Sequence, residues 1–295
     1  MTTPAAGPPL TPLPGTGLRL DDADVPTLVA VWAGSAAAMR DLAADLDDAQ
    51  WRTSTELPGW TVRDLVAHGT AIERTLLGWA DPAHEPDWTS LPHVTSDFGR
   101  FTEVPVDLRR SWTRDAVLAE WDETFAARAE ALADGPQGLD DEVPGPFGGT
   151  MAMRRLLRMR IFDLWAHEQD ARRALDLPGG LDSPGAWVSA GQIASALPYV
   201  WGKVVGAPPG ATVAVRVTGP GVLLVQTVAV GPDGRAARVA DAAVAQPTVG
   251  LTCSWPDLVA LGCGRVGPAS LRGSLDLTGD PDLGDRLLPA LAITP

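Results

Sequence analysis

Apolar positions recur with a helical period over the first two thirds of the chain. The pattern predicts five helices, over residues 25–47, 60–80, 111–134, 150–177 and 184–205. Residues 81–110 contain four prolines and show no clear period, and residues 135–150 are rich in proline and glycine. Both segments are therefore expected to be loops, and the first has a length that is often functional. Thr61 and Asp64 have the spacing of a capping box at the start of the second helix.

The pattern changes after the segment Gly-Ala-Pro-Pro-Gly at residues 206–210. Stretches of strand length follow, and they alternate or run apolar between turns rich in glycine and proline. Strands, a short helix capped by Ser254 and a closing helix are predicted, which indicates a mixed α+β domain. The expected divisions are a disordered proline-rich arm at 1–21, a helical bundle at 22–206 and the α+β domain at 207–295.

Charge and composition exclude several classes of function. The chain has 295 residues and a net charge of −14, so nucleic acid and anionic membranes are not expected as partners. It contains no run of about 18 apolar residues, and its N-terminal residues lack the pattern of a signal peptide. Cys253 and Cys263 are too few for a disulfide framework. We expect a cytoplasmic protein with buried reduced thiols, and a monomer because no long apolar stripe is left over.

Three side chains on two predicted helices are candidate metal ligands. Asp163 and His167 are four residues apart in the fourth helix, and this spacing places them on one helix face. In the second helix His68 shares a stripe with Leu65 and Ile72, so its imidazole is expected to point into the bundle. A carboxylate on an inward face is costly to bury unless it is paired or bound to a cation. The pattern is compatible with a metal site of the kind that helix bundles build between facing helices.

This set has the composition of a catalytic metal site, because three protein ligands leave one position open. Two neutral imidazoles and one carboxylate suit zinc, and also iron, cobalt or nickel. Other interpretations remain open. His68 can be a hydrogen-bonded core histidine, and Asp163 with His167 can be a simple hydrogen-bonded pair.

Other polar and aromatic residues in these segments are assigned structural roles. Asp170 is predicted to pair with Arg172 or Arg173, and Glu168 is expected on a solvated face. The histidines of the expected loop are assigned no further role: His84 and His93. Tryptophans at helical positions are assigned mostly to core packing: Trp32, Trp60, Trp79, Trp121, Trp165 and Trp187.

Two segments of the chain resemble the signature segments of a known enzyme family. LPGWTVRDLVAH at 57–68 and RIFDLWAHEQDARRAL at 160–175 are similar to those of the mycothiol-dependent maleylpyruvate isomerase family, which belongs to the DinB-like metalloenzymes of actinobacteria. The closing segment from Leu277 is similar to the end of that family's second domain. The resemblance covers residues 22–295. It implies a DinB-like four-helix bundle followed by a small sterol-carrier-protein-like α+β domain.

The resemblance also implies a site and a chemistry. It assigns a divalent metal, usually zinc, to His68, Asp163 and His167. It assigns the carboxylate of a substrate to an arginine of the second domain, for which Arg265 and Arg272 are the candidates. Mycothiol, a cysteinyl sugar thiol, would bind as a thiolate and attack a small electrophile. The family has Glu at the position of Asp163, and this difference bears on isomerase activity more than on metal binding.

The resemblance leaves the type of reaction open. Transfer results if the thiol adduct is kept, and isomerisation results if the thiol leaves again. The same three ligands would also serve a hydrolase or cyclase of secondary metabolism that needs no thiol. A binding protein without chemistry is the third interpretation.

Overall fold

The computed structural model describes residues 23–219 and 221–294. The chain divides into two compact units, one at Asp24–Gly180 and one that begins at Leu181. The predicted disordered arm at 1–21 lies outside the described residues. None of the helices in the described ranges is long and apolar enough to cross a membrane.

Six α-helices and a short hairpin form the first unit. The helices are α1 (Val25–Ala44), α2 (Asp48–Trp51), α3 (Val62–Leu76), α4 (Asp97–Arg109), α5 (Arg114–Asp134) and α6 (Met153–Leu175). Antiparallel strands β1 (Glu142–Pro144) and β2 (Thr150–Ala152) precede α6. The long helices α1, α3, α5 and α6 pack against one another, and α4 packs on α3. The predicted helical bundle is therefore confirmed.

Local capping explains where the bundle helices begin and end. The Asp64 carboxylate accepts hydrogen bonds from the backbone N–H and the hydroxyl of Thr61, both at 2.8 Å, as the capping-box pattern predicts for α3. The Thr113 hydroxyl accepts from the N–H of Ala116 at the start of α5. Helix α6 ends where Asp176 adopts a left-handed conformation with φ of 54°.

The expected loop at 81–110 is partly helical, and that prediction was wrong over α4. Ser96 caps this helix by accepting from a backbone N–H three residues later, and Pro105 lies inside it. Its buried face carries Glu103 and Arg109. Ion pairs therefore replace part of the apolar stripe on which helix prediction depends. The β1–β2 hairpin begins in the second expected loop, and β2 occupies the first three residues of the helix predicted at 150–177.

Aromatic rings fill the core of the bundle. The rings of Trp121 and Phe125 stack at a centroid distance of 4.0 Å, and Phe125 also stacks on Trp32 at 5.5 Å. Trp165 is fully buried. The core role predicted for most tryptophans holds for these, whereas Trp79 is 37% exposed because α3 ends before it.

The second unit is a five-stranded sheet with helices. Helix α7 (Pro184–Tyr199) continues into a π-helical turn at Val200–Val204. The elements that follow are β3 (Thr212–Thr218), β4 (Leu224–Val230), β5 (Ala236–Val239), β6 (Val249–Ser254), α8 (Trp255–Gly262), α9 (Pro268–Leu271), β7 (Asp276–Gly279) and α10 (Pro281–Ala290). The strand order is β5-β4-β3-β6-β7; β3 and β6 are parallel, and the other neighbours are antiparallel. The predicted fold class, a helical bundle followed by an α+β domain, is confirmed.

The division between the units lies before α7, whereas the sequence placed it between residues 206 and 207. Helix α7 packs on β4 and β5, so it belongs with the sheet. Ile193 and Leu197 of this helix line a small apolar cavity together with Val215 of β3. A helical period shows that α7 has an apolar face, but it does not show which element covers that face.

Candidate metal centre

Two helices of the bundle bring three potential metal ligands together. Helix α3 carries His68, and α6 carries Asp163 and His167 one helical turn apart. Oδ1 of Asp163 lies 3.5 Å from Nε2 of His68 and 3.6 Å from Nε2 of His167. One ligand atom from each residue lies within 4.8 Å of the others. The structure therefore brings together the three side chains that the sequence singled out.

Two of the three spacings between these atoms fit a tetrahedral metal site. Zinc lies about 2.0–2.2 Å from imidazole nitrogen and carboxylate oxygen, so two ligand atoms at a tetrahedral angle are about 3.4 Å apart. The two separations measured from Asp163 are close to that value. Metal ligation also requires a neutral imidazole and an ionised carboxylate.

The protonation states of His68 and Asp163 meet this requirement. Burial lowers the pKa of His68, which favours the neutral imidazole. Burial alone would raise the pKa of Asp163, but the Arg160 guanidinium and the two histidines hold that pKa well below its usual range. The carboxylate is therefore ionised at neutral pH.

The site is closed around the imidazoles and accessible at the carboxylate. The side chains of His68 and His167 are 8% and 10% exposed, whereas that of Asp163 is 26% exposed. Three protein ligands with one accessible edge leave room for a further ligand, as catalytic metal sites do.

A buried arginine fixes the orientation of the carboxylate. Arg160 lies one turn before Asp163 on α6, is 3% exposed, and donates from Nη1 to Oδ2 of Asp163 at 2.6 Å. Its Nε donates to Oε1 of Glu73 on α3 at 2.9 Å. Burial would lower the pKa of Arg160, but Asp163 and Glu73 raise it, so the guanidinium stays charged. Oδ1 of Asp163 is thereby left to face the histidines.

Glu73 connects all four long helices behind the site. Its side chain has no solvent exposure. Besides the bond from Arg160 on α6, its carboxylate accepts from Nε1 of Trp32 on α1 at 3.0 Å and from Nε of Arg128 on α5 at 3.2 Å. A buried carboxylate is tolerated when donors of this kind satisfy it. The position of Asp163 therefore depends on the four long helices of the bundle.

Asp170 orients the imidazole of His167. Nδ1 of His167 lies 3.1 Å from Oδ2 of Asp170, so a proton on Nδ1 leaves the lone pair on Nε2, on the side of Asp163. Arg173 donates to the other oxygen of Asp170 at 2.6 Å, which confirms the predicted pairing with an arginine. Nδ1 of His68, by contrast, is buried and has no hydrogen-bond partner among the described residues.

An indole ring forms one wall of the site. The ring centroid of Trp60 lies 5.1 Å from that of His68 and 6.1 Å from that of His167. Nε1 of Trp60 donates to Oε2 of Glu103 on α4 at 2.7 Å, and Arg110 donates to Oε1 of the same carboxylate at 2.6 Å. Helix α4, which the sequence pattern does not show, thus holds this wall in place.

The prediction for Glu168 was wrong. Its side chain is buried and paired with Arg172 at 2.7 Å, although it was expected on a solvated face. The chain that follows α6 folds back over this part of the helix, where Gln169 donates to the carbonyl of Gly179 at 3.2 Å. Burial raises the pKa of Glu168 in spite of its arginine partner.

The histidines of the expected loop have partners on α4. Nε2 of His84 lies 2.7 Å from Oδ2 of Asp107, and Nε2 of His93 lies 3.2 Å from Oε2 of Glu103. Neither histidine is part of the three-residue cluster. Because the sequence pattern did not predict α4, it could not predict these contacts.

The two candidate arginines lie in the second unit. The side chain of Arg272, just after α9, is 69% exposed and lies 3.6 Å from Asp285. Arg265 donates from Nη1 to the carbonyl of Cys263 at 2.6 Å. These local contacts do not test a role in binding substrate, which stays a prediction.

Sequence reasoning did not identify Arg160, Glu73 and Trp60 as parts of the site. Arg160 carries a signal, because it lies three residues before Asp163 and therefore on the same face of α6. Glu73 carries a weaker sequence signal. It is a charged residue seven positions, or about two helical turns, after the buried Val66, and therefore lies on the same face of α3. The direction of the Trp60 side chain depends on the chain reversal before α3, which residue spacing does not encode.

Comparison with known proteins agrees with this architecture. The family model of the mycothiol maleylpyruvate isomerase N-terminal domain matches residues 32–172. A crystal structure of the mycothiol-dependent maleylpyruvate isomerase matches with a TM-score of 0.53 and 18% identity, over 88% of this chain and 95% of that chain. The structure of a histidine-to-alanine mutant of that isomerase matches with a TM-score of 0.52 and 17% identity over the same shares. No curated protein matches the sequence.

The matched segment contains every candidate metal ligand, and the solved structures share both parts of the fold at low sequence identity. Residues 32–172 of the helical unit therefore match the mycothiol maleylpyruvate isomerase N-terminal domain family.

Proposed function

We propose that this chain is a metal-dependent enzyme that directs the thiolate of mycothiol at a small electrophilic substrate. His68, Asp163 and His167 would hold a divalent metal, with zinc as the first expectation. The proposal rests on the convergence of these three side chains around a point with one accessible edge. The family of the helical unit supports mycothiol as the thiol. Within this proposal the enzyme acts as a monomer in the cytoplasm.

The residues around the site suit this chemistry. A divalent metal bound there would supply the positive charge that stabilises a thiolate at neutral pH. Arg160 keeps Asp163 ionised and engages the carboxylate oxygen that does not face the histidines. Trp60 shields the imidazoles from water, which strengthens the electrostatic interactions inside the site. The accessible edge beside Asp163 is where the sulfur would approach.

The thiolate sulfur would form a bond to an electrophilic carbon of the substrate. With a conjugated double bond, the electron pair moves onto the activating group. Rotation and loss of the thiolate then return an isomer. With an epoxide or a carbon that bears a leaving group, the adduct is the product and the reaction is a transfer. Arg265 and Arg272 are the proposed contacts for a substrate carboxylate.

Elemental analysis of the purified full-length chain tests the metal site. We expect one divalent metal per chain in the wild type and its loss in both His68→Ala and His167→Ala. His84→Ala is the matched control, because His84 pairs with Asp107 and is not part of the cluster. This control should keep the metal. Full metal content in both site variants would refute the site.

Dependence on thiol separates the proposed chemistry from a hydrolase or cyclase built on the same ligands. A conjugated carboxylic acid, an epoxide and an activated halide are each incubated with the metal-loaded protein, with mycothiol, with a different thiol or with none. We expect turnover only with a thiol. Turnover without a thiol would identify a hydrolase or cyclase. Binding of substrates without any turnover would favour a non-catalytic protein.

A further inference from the structure

A cavity of the helical unit, apart from the candidate metal site, has no role in the proposed thiol chemistry. Its volume is about 370 Å³, within the range of about 300–1,000 Å³ that is typical of ligand pockets. None of the three candidate metal ligands lines it. The lining includes three arginines and two tryptophans: Arg52, Arg63, Arg114, Trp51 and Trp112.

The three guanidinium groups are poorly neutralised by protein. Nη1 of Arg63 donates to the carbonyl of Arg110 at 2.8 Å, its Nε is buried without a hydrogen-bond partner among the described residues, and its contact with Asp64 is 3.8 Å long. Arg114 donates to a backbone carbonyl. Arg52 is exposed and makes no side-chain hydrogen bond or ion pair within the described part of the chain.

Like charges crowd this cavity in a chain whose net charge is −14. Burial lowers the pKa of Arg63. Asp64 opposes this effect, and the nearby guanidinium groups of Arg110 and Arg52 lower the pKa further. Asp48 and Asp115 also line the cavity. Within the described residues, neither forms an ion pair with the lining arginines, so three positive groups face two negative ones without direct pairing. An anion placed between the arginines would relieve their repulsion.

We propose that this cavity binds a small multivalent oxyanion, a phosphate or a dicarboxylate, between Arg52, Arg63 and Arg114. Guanidinium groups form paired, charge-assisted hydrogen bonds with both kinds of oxyanion. The N-terminus of α5, which begins at Arg114, adds partial positive charge at the same place. The rings of Trp51 and Trp112 offer flat apolar surfaces to the uncharged part of a ligand. This site is separate from the proposed metal site and goes beyond the proposed function.

Calorimetric titration of the full-length protein tests the proposal, with sodium phosphate and sodium succinate as probes and sodium chloride at matched ionic strength as the blank. We expect saturable binding of one anion per chain for at least one probe. Phosphate binding alone identifies a phosphate site, and succinate binding alone identifies a carboxylate site. Arg52→Gln and Arg63→Gln should each weaken binding about tenfold, the scale of one charge-assisted hydrogen bond.

Arg155→Gln is the matched control, because it removes the same charge from an exposed position of α6 that does not line the cavity. Its affinity should match the wild type. Absence of saturable binding for both probes would overturn the proposal, and so would equal weakening in all three variants. If Arg63→Gln loses helical structure, Arg52→Gln decides alone, since no side-chain hydrogen bond is lost there. Metal content in the same samples should not change, which separates this test from that of the metal site.

Discussion

The candidate metal site depends on how one short carboxylate is held. Arg160 engages Oδ2 of Asp163, so Oδ1 is the oxygen that faces the two imidazoles. An aspartate without this partner could rotate about its last side-chain torsion, which is broad. Arg160 therefore acts as a positioning residue, and Glu73 fixes it from α3.

Substitution of Arg160 tests this role. Arg160→Gln removes the donor and the charge next to Asp163, and we expect metal affinity to fall about 10- to 100-fold, as for other residues that orient metal ligands. Arg160→Lys keeps the charge but lacks the paired donors of a guanidinium group. Its metal affinity should therefore lie between that of the wild type and that of Arg160→Gln. Competition with a chromophoric chelator measures the affinity, and circular dichroism controls for folding. Folded Arg160→Gln with wild-type affinity would contradict the role.

The candidate ligands could be predicted from the sequence, but most residues that support them could not. Spacing along one helix is enough to place Asp163 and His167 on a common face. The apolar stripe of α3 points His68 inward as a candidate third ligand, and the resemblance to a known family supports that assignment. Glu103, which holds Trp60, is 43 residues from it in the chain and lies on a helix with no clear apolar period. Contacts between residues so far apart in the chain depend on how the helices pack, and a local sequence pattern carries no information about that packing.

At the level of the helices, a buried ionic cluster takes the place of apolar packing where α1, α3, α5 and α6 meet. Glu73 accepts hydrogen bonds from one residue of each of the other three helices. Burial lowers the pKa of Arg128, and Glu73 opposes that effect. Without Glu73, the buried guanidinium groups of Arg128 and Arg160 would lose a shared partner.

We expect Glu73→Ala to lower the free energy of unfolding by about 3–5 kcal/mol, because removal of one partner from a buried pair leaves uncompensated charge. Urea denaturation measures the change. Arg40→Ala is the comparison, since Arg40 and Asp122 form an exposed pair at 2.7 Å, and such pairs contribute about 0–1 kcal/mol. An equal decrease in the free energy of unfolding in the two variants would show that the buried cluster stabilises the fold no more than an exposed ion pair does.

Elements with a clear apolar stripe could be predicted, and elements held by polar contacts or defined by their packing partners could not. The four long bundle helices lie within the ranges that the pattern predicts, and the alternating segments after residue 210 include the strands of the sheet. Helix α4 does not, because its buried face carries Glu103 and Arg109 and it contains Pro105. The assignment of α7 to a unit depends on β4 and β5, which cover its apolar face.

For the whole molecule, the two units contain different chemical reporters. The candidate metal ligands all lie in the first unit, and both cysteines lie in the second. Cys253 and Cys263 are buried and form no disulfide. Burial and the nearby Asp257 raise the pKa of Cys253 to about 12, so this thiol is protonated and shielded while the second unit is folded. Reaction with a thiol reagent therefore reports the unfolding of the second unit.

Removal of the metal should destabilise the first unit and leave the second unchanged. A ligand that binds only the folded state stabilises it by about 2.7 kcal/mol when its free concentration is 100 times its Kd. With a chelator, we expect the part of the helical circular dichroism that comes from the first unit to be lost at lower temperature, while Cys253 and Cys263 become reactive at the same temperature as before. His167→Ala should respond to the chelator in neither measurement. An unshifted dichroism transition in the wild type would contradict the metal site, and a joint shift of both signals would contradict independent unfolding of the two units.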